Sequence, residues 1–283
     1  MTDIRTGTAE VPGATLHYET RGTGPVLLLI PGGSGDAGIF DGMAAELADR
    51  YTVVSYDPRC FSRSREDSAP GGQRVEVHSA DARRVLDLVA RPGEPTAVLG
   101  TSSGAIVALD LLARFPDPPR VVIAHEPPSV ELLPDAAQHR AMFREVRETY
   151  LRDGAAAAMG VLAAGTSGGD NAPEPAEPPH SEAMDRMVAN LPVFLEHILA
   201  QFTAHVPDLD ALSSRADRLV LAAGRDSAGQ LLRRPAEHIA QRTGAGFAEF
   251  PGGHVGATER PAEFAAALHR TLEAQVARWT VDR

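Results

Sequence analysis

Hydrophobic positions along this chain fall into two textures: short continuous apolar runs, and longer stretches with apolar residues at helical spacing. Val26-Leu27-Leu28-Leu29-Ile30, Thr52-Val53-Val54-Ser55-Tyr56-Asp57, Ala97-Val98-Leu99, Arg120-Val121-Val122-Ile123-Ala124-His125 and Arg218-Leu219-Val220-Leu221-Ala222-Ala223 belong to the first. Such runs are expected of strands buried on both faces of a parallel sheet. Residues 14–20 alternate like a strand, and Gly246-Phe247-Ala248-Glu249-Phe250 reads as the last one. Helices are predicted over 41–49, 75–91, 105–112, about 233–243 and about 261–277. Strands and helices in alternation predict a mostly parallel sheet flanked by helices on both faces.

The rhythm changes after Glu126-Pro127-Pro128. Residues 135–205 carry helical patterns and no convincing strand, and Thr166 to His180, rich in Gly, Pro, Ser and Glu, reads as a flexible loop. The core is therefore expected in two pieces, 1–130 and 210–283. Residues 131–209 would form a helical cap inserted after the sixth core strand. That cap would lie over the carboxyl ends of the strands, where open α/β sheets bind ligands.

Composition narrows the function classes. The 283 residues are 43% hydrophobic, enough for a sizeable core. With Lys plus Arg 27 and Asp plus Glu 38, the formal net charge is −11, which argues against nucleic acid or an anionic membrane as partner. A single cysteine, Cys60, allows no intrachain disulfide. The start, Met1-Thr2-Asp3-Ile4-Arg5, lacks the apolar core of a signal peptide, and no apolar run has membrane-spanning length. The expectation is a cytoplasmic protein.

The chemistry centres on Gly100-Thr101-Ser102-Ser103-Gly104, between the Ala97–Leu99 strand and the following apolar helix. Strand, G-x-S-x-G, helix resembles the nucleophile elbow of the α/β-hydrolases. Side chains two positions to either side of a serine in so sharp a turn would clash, hence the two glycines. A serine hydroxyl needs a base, and the base an orienting acid. Among ten histidines, His254 stands where the order serine, acid, histidine expects it, between the last strand and the last helix. His125 reads as a packed or hydrogen-bonded neighbour. Two acids compete. In Gly224-Arg225-Asp226-Ser227 the usual G-x-x-D acid position is Ser227, so Asp226 is one residue early. Glu126 follows the strand beside the elbow strand, is stiffened by Pro127-Pro128, and has the longer side chain. The reading favours Glu126 and keeps Asp226 as the alternative acid. The oxyanion hole is assigned to the N–H groups of Ser103 and Gly33, and losing one such donor typically costs ~3 kcal/mol. Pro31-Gly32-Gly33-Ser34-Gly35 is not a phosphate loop, because no G-K-[ST] follows.

Together these residues resemble the α/β-hydrolase superfamily, and within it the zearalenone lactone hydrolase group. The resemblance rests on the Ser102-to-Ala105 run, on His125-Glu126-Pro127-Pro128 after the next strand, and on Asn190-Leu191-Pro192-Val193-Phe194 in the cap. It implies a triad of Ser102, Glu126 and His254, oxyanion donors Gly33 and Ser103, and Phe194 lining the substrate pocket where that group has tryptophan. Asp57-Pro58-Arg59-Cys60-Phe61-Ser62-Arg63-Ser64 resembles the superfamily motif D-x-R-G-x-G-x-S, with Cys60 at its first glycine and therefore a candidate for backbone strain. The function expected is hydrolysis of a small hydrophobic carboxylic ester or lactone through an acyl-enzyme, with no metal and no cofactor. The alternatives are C–C bond hydrolysis, perhydrolysis or a secondary-metabolite tailoring step at the same site, and a non-catalytic ligand-binding role.

Overall fold

The computed structural model describes residues 3–167 and 181–281. Most of the Thr166–His180 stretch expected to be a loop therefore lies outside the described residues. Among the described residues one sheet is formed by β1 (Arg5–Val11), β2 (Ala14–Arg21), β3 (Val26–Ile30), β4 (Thr52–Tyr56), β5 (Arg65–Glu66), β6 (Ala97–Thr101), β7 (Val121–His125), β8 (Leu219–Gly224) and β9 (Gly246–Phe250). Its order is β1-β2-β4-β3-β6-β7-β8-β9, with β5 paired to β2. From β4 to β9 every pairing is parallel, whereas β2 runs antiparallel to both β1 and β4.

The helices are α1 (Asp41–Leu47), α2 (Val75–Val89), α3 (Ser103–Arg114), α4 (Ala136–Asp153), α5 (Ala155–Thr166), α6 (Glu182–Val193), α7 (Leu199–Thr203), α8 (Leu209–Ser213), α9 (Arg233–Thr243), α10 (Gly256–Glu259) and α11 (Pro261–Val281). The continuous apolar runs have the cause expected of them. In β3, Val26, Leu28 and Ile30 face one core with residues of α2, α3 and α9. Leu27 and Leu29 face the other, with Met43 and Leu47 of α1 and Phe264 and Leu268 of α11. Each side chain so buried contributes roughly 1.5–3 kcal/mol.

Two strands escape the hydrophobic pattern. β1 is mostly exposed and pairs residue by residue with β2, from Arg5↔Thr20 to Val11↔Ala14. Only one face of it is covered, so no apolar run marks it. Its one local signal is the Pro12-Gly13 turn, where Gly13 takes φ = 76°. The two-residue β5 is too short for any pattern.

The chain reverses direction across the sheet at β3: β4 lies on one side of it, and β6 on the other. Crevices at such switch points, beyond the strands' carboxyl ends, are where ligands bind in open α/β sheets. Between β7 and β8 the described residues are helical, comprising α4 to α7 and a π-helix at Phe194–Ile198, before α8 returns the chain to α3 and α9. This insertion follows the seventh strand in chain order, which is the sixth when the two-residue β5 is set aside. No helix among the described residues is long and apolar enough to cross a membrane.

Candidate active site

Four loops at the carboxyl end of the sheet carry the candidate residues. Ser102, between β6 and α3, holds φ = 53° and ψ = −124°, a region that costs a non-glycine residue of order 1–3 kcal/mol. Its neighbours explain how tightly the turn is made. A Cβ on Gly100 would sit 2.3 Å from the Gly104 carbonyl oxygen, and one on Gly104 would sit 2.3 Å from that of Ile30. Both glycines are therefore required by space. The Ser102 N–H donates to the His125 carbonyl at 2.9 Å, tying the turn to the end of β7.

His254 lies on the loop between β9 and α10. Its Nε2 is 3.0 Å from Ser102 Oγ and its Nδ1 2.7 Å from Glu126 Oε2. A carboxylate only accepts, so Nδ1 carries the proton and Nε2 is left to accept from the serine hydroxyl. Glu126 is the first residue after β7 and, at φ = 46°, adopts the left-handed region. Its carboxylate is fully buried, and Oε1 accepts the Gly224 N–H at 2.8 Å. Burial pushes its pKa up, but the hydrogen bond and charge of His254 outweigh it and hold the carboxyl at about 2. The His125 ring and the Ser227 hydroxyl lower it further.

The alternative acid is not brought to this site. Asp226 is exposed, and its carboxylate pairs with Arg260 at 3.4 Å. The reason is the one-residue offset visible in the sequence. On the 3-10 turn Arg225–Ser227, it is Ser227 that is buried beside Glu126. His125 is fully buried, packed edge-on against Phe250 and Phe264, with burial holding its pKa down to about 4.

The Gly32–Gly35 turn after β3 presses directly on the nucleophile. A Cβ on Gly32 would meet Ser102 Cβ at 2.6 Å, and Gly33 takes φ = 59° in a turn closed by the Gly35 N–H on the Gly32 carbonyl at 3.0 Å. The Gly33 N–H, assigned to the oxyanion hole from sequence, donates at 3.0 Å to the Ser103 side-chain hydroxyl. Ser103 itself opens α3, where the first N–H groups of a helix have no intrahelical acceptor. Phe194 begins the π-helix and is 6% exposed, packed into the apolar cluster shared with α3, α4 and α7.

The Asp57–Ser64 loop braces the site from behind. The buried Asp57 carboxylate accepts N–H groups from Ala37 at 3.1 Å and Arg63 at 3.0 Å, together with the Arg63 guanidinium. Arg59 makes a bidentate pair with Asp81 at 2.8 Å. Both glycine positions of the motif hold left-handed residues here, Cys60 at φ = 66° and Ser62 at φ = 50°. The Cys60 thiol is pushed up to about 12 by burial and by its hydrogen bond to Glu66. Only about one thiol in 10^4 is then ionised at pH 8. A disulfide reagent at neutral pH is expected to leave Cys60 unreacted in the folded protein and to titrate it after denaturation. Stoichiometric labelling of the native protein within minutes would contradict this.

A strained serine turn between strand and helix, a buried carboxylate and a bridging histidine, all at the carboxyl edge of this sheet, are the marks of one class. The chain belongs to the alpha/beta hydrolase family, whose model matches residues 27–267. It is 36% identical over 275 residues to the uncharacterized hydrolase YraK of Bacillus subtilis (strain 168), covering 95% of this chain and 97% of that one. It is 31% identical over 118 residues to a zearalenone hydrolase of Bionectria ochroleuca, a stretch that spans 41% of this chain and 45% of that one. Its fold is similar to that of a thermophilic esterase from Thermogutta terrifontis, with a TM-score of 0.72, 20% identity, and coverage of 96% and 99% of the two chains.

Proposed function

We propose that this protein is a serine hydrolase of carboxylic esters or lactones, with Ser102 as nucleophile, His254 as base and Glu126 as orienting acid. The observation that carries the reading is the unbroken relay from Ser102 Oγ through the imidazole to a buried carboxylate, at 3.0 Å and 2.7 Å. His254 takes the hydroxyl proton as Ser102 adds to the carbonyl carbon. Collapse of the tetrahedral intermediate expels the alcohol, which His254 protonates. Water, deprotonated by His254, then cleaves the acyl-enzyme and restores Ser102. Glu126 holds the tautomer and stabilises the imidazolium throughout.

The oxyanion is received by the Ser103 N–H and the Gly33 N–H. For Gly33 this requires its proton to be shared with, or released by, the Ser103 hydroxyl. Ser103→Ala keeps both backbone donors and removes only that hydroxyl, so kcat is expected to stay within about threefold of wild type or to rise. A fall of about 10²-fold, the size expected for losing one donor, would instead make the hydroxyl itself an oxyanion ligand. The α4–α7 insertion acts as a cap, and Phe194 on it contributes to an apolar pocket suited to a medium-sized hydrophobic substrate.

The test is turnover of p-nitrophenyl esters and macrocyclic lactones, zearalenone included, by wild type and Ser102→Ala. Serine-dependent turnover is expected, and the ratio of lactone to ester rates defines the substrate class. A folded protein that turns over none of them would defeat the reading.

A further inference from the structure

One polar cluster outside the relay joins the helical insertion to the core. Asn190, near the end of α6, is 4% exposed. Its Nδ2 donates to the Ser34 carbonyl and to Ser62 Oγ, each at 2.9 Å, and its Oδ1 accepts the Ser62 N–H at 2.9 Å. One turn earlier on the same helix face, Arg186 pairs with Asp36, whose carboxylate is fully buried and also accepts the Gly38 N–H at 2.8 Å. The two helix residues thus hold the loop after β3 at Ser34 and Asp36, and the loop after β4 at Ser62. Ser34 is the residue after Gly33, inside the turn that presses on Ser102. Two residues beyond Asn190, Pro192 interrupts the helical hydrogen bonding, and Phe194 begins the π-helix.

We infer that Asn190, supported by Arg186, is a positioning residue for the oxyanion turn, making the placement of the Gly33 N–H depend on the docked helical insertion. The inference rests on the serine-hydrolase reading. Its physical content is a short lever. The amide of Asn190 fixes the Ser34 carbonyl, and the Gly33 N–H lies two peptide units back along the chain. A donor misplaced by about an ångström costs on the order of 10²-fold in rate, so a hydrogen bond of modest stability controls a large kinetic term. Asn190 also supplies φ-compatible support for Ser62, whose left-handed backbone is clamped by the amide on both its N–H and its hydroxyl.

Asn190→Asp separates this role from simple anchoring, because it is isosteric. Its carboxylate still accepts the Ser62 N–H, but it has no hydrogen to donate, so it loses both the bond to Ser62 Oγ and the bond to the Ser34 carbonyl, which it now faces with a second acceptor. With p-nitrophenyl acetate, a substrate too small to test the pocket wall, kcat is expected to fall about 10- to 100-fold with KM changed less than about threefold. Ser62→Gly removes the hydroxyl and with it the contacts to Asn190 and to Asp36, keeps the N–H contact to Asn190 and suits φ = 50°. It is expected to leave kcat within about twofold, since the Ser34 bond remains. Thermal unfolding of each variant checks that the fold is kept. If Asn190→Asp does not fold, Arg186→Gln replaces it, with the same pattern expected at a smaller kcat loss of about three- to tenfold. A folded Asn190→Asp with wild-type kcat overturns the inference. So does a loss confined to KM, or an equal kcat loss in Ser62→Gly. A wild type without Ser102-dependent turnover fails the hydrolase reading instead, and the two failures are distinguished by the wild-type measurement.

Discussion

Ser102→Ala is expected to lower kcat on any turned-over ester by about 10^4-fold or more, leaving only what the oxyanion donors and binding supply. Removing the hydroxyl removes the nucleophile without disturbing the fold, because the side chain is small and its one contact in the relay is His254 Nε2. Stability should be nearly unchanged, since alanine meets the same penalty at φ = 53° and ψ = −124°. Ser102→Gly should be equally inactive yet more stable by about 1 kcal/mol, because glycine accepts that backbone without strain. A gain in melting temperature for Ser102→Gly over Ser102→Ala, measured side by side, would show strain stored at the nucleophile. Residual turnover within tenfold of wild type in Ser102→Ala would remove the serine from the mechanism.

The second large effect separates the two acids. Glu126→Ala is expected to cost on the order of 10^3- to 10^4-fold in kcat, and Asp226→Ala less than about twofold. Glu126→Gln should be nearly as poor as Glu126→Ala, although it fills the same space. An amide can donate to Nδ1, which drives the proton to Nε2 and leaves no lone pair facing Ser102. The reverse ranking, with Asp226→Ala crippled and Glu126→Ala active, would reassign the acid. The same residue predicts an acid limb of stability. Its carboxyl is held at about 2 when folded against an ordinary value of 4.5. With the folded value depressed, the carboxylate stabilises the fold above about pH 4.5, and that contribution drains away as pH falls toward 2. Denaturant unfolding between pH 5 and 2 should therefore lose less stability per pH unit in Glu126→Gln than in wild type. Parallel slopes would mean that Glu126 titrates alike in both states.

Much of the fold was readable because its strands and helices are marked by the spacing of apolar residues, a property of near neighbours. The five-residue run of β3 is apolar throughout because helices cover both sides of it. β1 left no such mark because it borders the sheet and is largely exposed. The elbow was readable because its serine and both glycines fall within five residues, although only Gly100 is demanded by a clash inside the turn and Gly104 by one with Ile30 of the neighbouring strand β3. The π-helix at Phe194–Ile198 was not, since nothing in its spacing distinguishes it from the helices that flank it.

The chain's own order of residues thus determined the alternating architecture, the serine turn and the histidine loop, each of which leaves its mark within a short stretch of sequence. Only tertiary structure decided which carboxylate meets His254, how the Gly33 N–H is occupied, and that Asn190 holds Ser34. His254 meets Glu126 across 128 positions and Ser102 across 152, and Asn190 reaches Ser34 across 156. Contacts of that separation exist only once the sheet has aligned the carboxyl ends of its strands. Which of two adjacent residues on a turn faces inward, Asp226 or Ser227, is then set by the backbone of that turn and not by its composition.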